Sequence, residues 1–133
     1  PDHADRAVAA AIDLVRTVQD FYGERLRVGV GVSSGPVVAG TIGGGGRLEF
    51  TVIGDAVNTA ARVEGVTRET GDAVLVTEAT RCLLTRDFGG FEERGDVELK
   101  GKSERVRIWA PCATIRSADD AAAPSELSAE PRL

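Results

Sequence analysis

The stretch Phe50-Thr51-Val52-Ile53-Gly54-Asp55-Ala56-Val57-Asn58-Thr59-Ala60-Ala61-Arg62 constrains this chain more than any other. It opens on a short apolar, β-branched run of the kind that forms a buried strand. Gly54 interrupts the run, and Asp55 is a good N-cap for a helix starting at Ala56. Ala56 to Glu64 reads as that helix. Asn58 and Arg62 are four apart on it, so their side chains share a face one turn apart. An amide and a guanidinium held together this way form a rigid donor pair, suited to a phosphate or a developing oxyanion. The spacing alone favours a solvated helix face, because polar i,i+4 pairs are common.

The remaining segments frame that unit. Val8, Ile12, Val15 and Val18 mark one apolar stripe on a helix from Ala4 to Tyr22, with Asp2 as its expected N-cap and Gly23 as its stop. Leu26, Val28, Val30 and Val32 alternate with Arg27, Gly29 and Gly31, as in a strand, and glycines on one face admit a close backbone or ligand. Ser33-Ser34-Gly35-Pro36 reads as a turn. Val37 to Ile42 is either a continuing strand or a packed turn, and Gly43 to Gly46 reads as a mobile connection. No Gly-Lys-Ser/Thr comes after those glycines, so they are not a P-loop. Pro36 and the valines after it argue against the helix that a dinucleotide fingerprint at Gly29, Gly31 and Gly35 would need.

Gly65 to Asp72 reads as a polar link, and Ala73 to Val76 as a short strand. Thr77 is placed to cap a helix through Leu84. Phe91 to Leu99 and Glu104 to Trp109 read as two strands joined by a hairpin turn at Lys100-Gly101-Lys102-Ser103. From Ala113 the composition shifts to Ala, Ser, Pro and acidic residues, so 1–112 is expected to be the domain and 113–133 a disordered tail.

Composition removes several classes of function. A chain of 133 residues has room for one domain with a modest core. The net charge of -5 argues against a general nucleic-acid binder, although a few local cations suffice for a nucleotide. No apolar run approaches the ~20 residues of a membrane span, and no secretory segment is present. Cys82 and Cys112 are far apart without metal-type spacing, so a reduced, cytoplasmic setting is expected. The only histidine, His3, sits near one end, which removes His-based triads and His-rich metal clusters. Ser33 and Ser34 have no base to activate them and read as turn residues. The chain starts at Pro1 and contains no Met, as expected of a piece of a longer product.

Three blocks carry a family resemblance: Arg27 to Gly43 (RVGVGVSSGPVVAGTIG), Arg47 to Arg62 (RLEFTVIGDAVNTAAR), and Glu98 to Lys102 (ELKGK). In this order they resemble the catalytic domain of class III nucleotide cyclases, the adenylate and guanylate cyclases, over roughly Ala4 to Ala110. The resemblance implies an α+β fold: a ferredoxin-like core with helices on one face of a mostly antiparallel sheet, here truncated at its N-terminal strands. It also implies ATP as substrate, cyclic AMP and pyrophosphate as products, and head-to-tail dimers with sites at the interface.

By position, Asn58 and Arg62 match the family's transition-state pair, Asn58 orienting the ribose and Arg62 stabilising charge on the α-phosphate. Thr51 matches the position that reads the purine, where a bacterial adenylate cyclase subgroup carries Thr. A hydroxyl there can accept a hydrogen bond from an adenine amino group, though Thr51 is also an ordinary strand residue. Lys100 matches the hairpin lysine that meets the triphosphate; an ordinary solvated turn explains it too. The family uses Mg²⁺ or Mn²⁺, and its two metal-binding aspartates lie in blocks that precede Ala4. Asp2, Asp5, Asp13 and Asp20 lie on or before one helix without convergent geometry, so no metal ligand is expected in this chain. It would then supply one half of a dimer-interface site. The alternative is an inactive cyclase-like module for dimerisation or nucleotide sensing.

Overall fold

A computed structural model describes residues 2–99 and 104–112. Four strands, β1 (Val30–Val32), β4 (Val74–Thr77), β5 (Phe91–Glu98) and β6 (Arg105–Pro111), form one sheet in the order β1-β4-β6-β5. Strands β2 (Val38–Gly44) and β3 (Arg47–Ile53) form a separate hairpin. The helices are α1 (His3–Tyr22), α2 (Asp55–Thr70) and α3 (Glu78–Leu83). β1 and β4 are parallel, with Val30 opposite Val74, and the other pairs are antiparallel. A parallel pair needs a crossover connection, and the hairpin together with α2 supplies it.

Val74 and Val76 of β4 pack with Val8, Ala11, Ile12 and Val15 of α1 and with Phe88. Leu75, between those valines, packs instead with Val63 and Val66 of α2, Val97, Ile108 and Ala110. Successive strand residues point to opposite faces, so α1 and α2 cover opposite sides of the sheet. The mixed α+β fold is as expected, but the helices do not share one face.

The α1 stripe keeps its spacing through Val15, while Val18 is only half-buried. Asp2 makes no side-chain cap; its carboxylate pairs with Arg6 at 3.4 Å. The buried acid is Asp5, which accepts from the backbone N–H of Thr85 (2.9 Å) and of Arg86 (3.0 Å) and from the Thr85 hydroxyl. These bonds, the Thr85 hydroxyl foremost, hold its carboxyl below the usual carboxylate range. Asp5 thus ties the segment after α3 to α1.

Several boundaries move. Only Val30–Val32 of the expected Leu26–Val32 strand enters the ladder, where β4 gives it a partner. α2 runs six residues past Glu64, so Gly65 to Asp72 is mostly helix rather than a link. Val66 and Thr67 continue its buried face, and tertiary packing overrides the low propensity of Gly65. Gly71, left-handed at φ 85, ends the helix with its N–H on the Thr67 carbonyl. Thr77 caps α3 as expected, its hydroxyl accepting from the Thr80 N–H at 3.3 Å.

The glycine run is not a loose connection. Gly43 and Gly44 belong to β2, and Gly45 and Gly46, with φ 60 and 84, make the two-residue turn that such a twisted hairpin requires. The hairpin is fully registered, from Val38 opposite Ile53 to Gly44 opposite Arg47. Its strand from Phe50 to Ile53 is not buried: Phe50, Val52 and Ile53 are 73%, 39% and 57% exposed. An apolar run marks a surface that needs cover, and among the described residues nothing covers this arm. The turn at 100–103 and the segment 113–133 lie outside the described residues.

Candidate active site

The site is built on the junction of β3 and α2. β3 ends at Ile53, and α2 starts at Asp55 with only Gly54 between them. Gly54, not Asp55, is the N-cap residue, and no side chain caps the helix. The Gly54 carbonyl accepts from the N–H of Val57 (3.1 Å) and of Asn58 (3.3 Å). Asp55 lies inside the first turn, where a carboxylate suits the helix dipole. A Cβ on Gly54 would stand 2.9 Å from the Pro36 carbonyl oxygen, so the two roots of the arm cross at van der Waals contact.

α2 is seated on β1 through glycine. A Cβ on Gly31 would stand 2.5 Å from the Glu64 nitrogen and 2.6 Å from the Ala60 carbonyl oxygen. One on Gly29 would stand 2.1 Å from the Thr67 hydroxyl oxygen. The close neighbour that the glycine pattern called for is therefore the body of α2, not a ligand. Thr59, Val63, Val66 and Thr67 form the buried face of α2.

Asn58 and Arg62 stand one turn apart and are both exposed. Among the described residues neither side chain has a hydrogen-bond or ion-pair partner. Most other arginines are engaged: Arg94 grips Asp72 with two nitrogens at 2.7 and 3.1 Å, Arg68 meets Glu64 at 2.9 Å, and Arg107 lies between Glu93 and Asp96. The result is an amide and a guanidinium with vacant donors on a helix fixed from behind.

Thr51 is half-buried on β3, opposite Gly40. Arg47, Glu49 and Thr51 alternate onto one face of the hairpin and, with Ile42, Gly43 and Gly44, line an open depression of about 460 Å³. Only arm residues line it, so Thr51 does not share this cavity with Asn58 and Arg62. Lys100 lies outside the described residues.

Among the described residues no group of three His, Cys, Asp or Glu side chains can hold a metal ion. Asp5 is engaged with Thr85 and Arg86, and Glu78 accepts from Trp109 and Cys82. The residues present do not fit a divalent-cation site. One polar cluster was not foreseen. Ser34, read as a turn residue, bonds the fully buried Thr80 at 2.8 Å, 46 positions away. Only its place beside the start of the arm could have drawn attention to it in the sequence.

The chain belongs to the nucleotide cyclases: the family described as adenylate and guanylate cyclase catalytic domain matches residues 1–110. It is 36% identical over 120 residues to an adenylate cyclase of Anabaena cylindrica, covering 80% of this chain and 24% of that protein. It is 37% identical over 116 residues to the receptor-type guanylate cyclase gcy-14 of Caenorhabditis elegans, covering 86% and 10%. The chain thus spans a quarter or less of these curated relatives.

Among solved structures it resembles the catalytic core of a rhodopsin-guanylyl cyclase with converted specificity, in complex with ATPalphaS. The TM-score is 0.63 at 32% identity, over 87% of this chain and 61% of that one. A bacterial light-regulated adenylyl cyclase shares the fold, with TM-score 0.72 at 20% identity, over 94% and 39%. No helix among the described residues is long and apolar enough to cross a membrane.

Proposed function

We propose that this chain is the catalytic domain of an adenylate cyclase and supplies the transition-state-stabilising half of a site shared between two subunits. The observation that carries the reading is the pair Asn58 and Arg62, without side-chain partners among the described residues and one turn apart on a helix seated against the sheet. In the reaction the ribose 3′-oxygen attacks the α-phosphorus, the 3′-hydroxyl proton leaves, and the bond to pyrophosphate breaks. Charge grows on the α-phosphate oxygens as the new bond forms. A guanidinium already aimed there needs little reorganisation, which is what makes such a donor effective. Asn58 would hold the ribose so that its oxygen faces the phosphorus.

Thr51 would accept a hydrogen bond from the adenine amino group, and Lys100 would meet the triphosphate. The solved relative in complex with ATPalphaS supports a purine triphosphate as ligand. Relatives of both kinds, adenylate and guanylate cyclases, match the chain, so the preference for ATP rests on Thr51. The family's Mg²⁺ or Mn²⁺ would need carboxylates from outside the described residues, and these residues contribute no step through it.

The arm supports self-association or pairing with another cyclase domain. A lone two-stranded hairpin is marginal in water, and this one exposes large apolar side chains on both faces: Val38, Ile42 and Ile53 on one, Leu48 and Phe50 on the other.

Complementation tests the reading. The chain is mixed with a cyclase domain that carries the metal aspartates but has its Asn/Arg pair disabled. Cyclic AMP from the mixture, and none from either component, is expected. No product from any mixture would favour the inactive dimerisation or nucleotide-sensing module, and cyclic GMP as the main product would overturn the role of Thr51.

A further inference from the structure

The hairpin leaves the domain through two roots. One is Ser33 to Val37, after β1; the other is Gly54, which runs directly into α2. At the first root the Ser34 hydroxyl lies 2.8 Å from that of Thr80, a residue with no solvent exposure. Thr80 is held in turn by Thr77 (3.2 Å) and by the Val32 carbonyl (3.4 Å). A consistent chain of donors runs from Ser34 to Thr80 to Val32. Thr80 lies in α3, and its two other partners end strands of the sheet: Val32 ends β1, and Thr77 ends β4. The roots then touch each other, the Gly54 backbone against Pro36 and Val37, and Gly35 within 3.1 Å of the Ala56 methyl measured from an added Cβ. From Gly54 one backbone bond leads to the Asn58 N–H.

We propose that Ser34 is a positioning residue, its hydroxyl on buried Thr80 setting the angle of the hairpin arm against the sheet and, through the crossed roots, the placement of Asn58. Among the described residues no other side-chain hydrogen bond joins the arm or its roots to the rest of the domain, so this bond to α3 is its polar tether. Without it the arm pivots at Gly35 and Gly54. The catalytic half of the inference rests on the cyclase reading above; the arm half does not.

Spin labels at Thr41→Cys on the arm and Asp13→Cys on α1, with Cys82→Ser and Cys112→Ser, report the arm angle as a distance distribution. Labelled chains are diluted in unlabelled chain so that only intramolecular distances are read. Ser34→Ala should broaden the distribution and Ser34→Thr should restore it, with the melting temperature within a few degrees of the parent. In the complemented enzyme Ser34→Ala should lower kcat about three- to tenfold with KM within about twofold, the range expected for losing one hydrogen bond. Thr80→Val, with Thr80→Ser as its control, should repeat both effects from the other side of the bond. An unchanged distribution in Ser34→Ala overturns the proposal, and so does a broadened one with unchanged kcat. If the parent mixture proves inactive, the cyclase reading fails and the distance measurement alone decides the arm angle.

Discussion

Gly31→Ala probes the seat of α2. The added methyl would stand 2.5 Å from the Glu64 nitrogen, 2.6 Å from the Ala60 carbonyl oxygen and 3.0 Å from the Glu64 Cα. All three are backbone atoms of α2, so no side chain can rotate away. Ordinary contact begins at 3.4 Å, and 3.4 minus 2.5 leaves 0.9 Å of required displacement. α2 cannot yield locally, because Val63 and Val66 are packed among Leu75, Val97 and Ile108. Overpacking of this kind costs about 1–3 kcal/mol. At about 4–8 °C per kcal/mol for a domain of this size, the melting temperature should fall by about 5–20 °C.

The control is Gly40→Ala on the arm, where an added Cβ meets nothing within 4 Å and the backbone needs no left-handed angle. It should melt within about 2 °C of the parent. Differential scanning calorimetry on the two variants side by side is the assay. A Gly31→Ala protein as stable as Gly40→Ala would refute the claim that α2 rests on the β1 backbone. The fixed placement of Asn58 and Arg62 would fall with it.

Arg62→Ala in a complemented enzyme should lower kcat by about 10²–10³ with little change in KM, measured by steady-state kinetics; its exposed side chain predicts an unchanged melt. Thr51→Val keeps the shape and removes the hydroxyl, so the ATP/GTP preference should shrink by about two- to tenfold in competition assays; an unchanged ratio would make Thr51 a packing residue. Asp5 titrates below its unfolded value of about 3.9, so its contribution to stability is present above about pH 4 and is lost as pH falls through its folded value. Denaturant melts of Asp5→Asn and parent across pH 2–7 should therefore show a gap at neutral pH that closes in acid.

The part of the fold legible in the sequence was local. The α1 stripe Val8, Ile12 and Val15 is a matter of spacing, and all three are buried. Thr77 caps α3 because a hydroxyl three residues before an amide needs no tertiary partner. Asn58 and Arg62 share a face because helical geometry alone places them there. The rest depended on distant neighbours. Gly29 and Gly31 announced a close approach, but only the crossover makes α2 the approaching body. Gly65 reads as a break until Val66 and Thr67 are seen to be buried. Phe50 to Ile53 carry the composition of a core strand and stand on an exposed arm, since hydrophobicity does not say which surface provides the cover. Ser34 and Thr80 are 46 residues apart, and nothing in either neighbourhood announces the other.

α2 divides its two tasks between its faces. Val63 and Val66 each contribute about 1.5–3 kcal/mol by leaving water, and they hold the helix against the sheet. Asn58 and Arg62 are exposed and have no side-chain partner among the described residues, so they contribute little to stability and remain free to donate. Had Arg62 been satisfied by an acidic neighbour, as Arg94 is by Asp72, binding a phosphate would first require breaking an ion pair. Had the helix been held by polar contacts along the exposed face, any ligand would compete with its own scaffold. Gly31 of β1 eases that conflict: it lets the backbone of α2 approach the sheet directly, so the helix is seated by van der Waals contact from behind while Asn58 and Arg62 face outward.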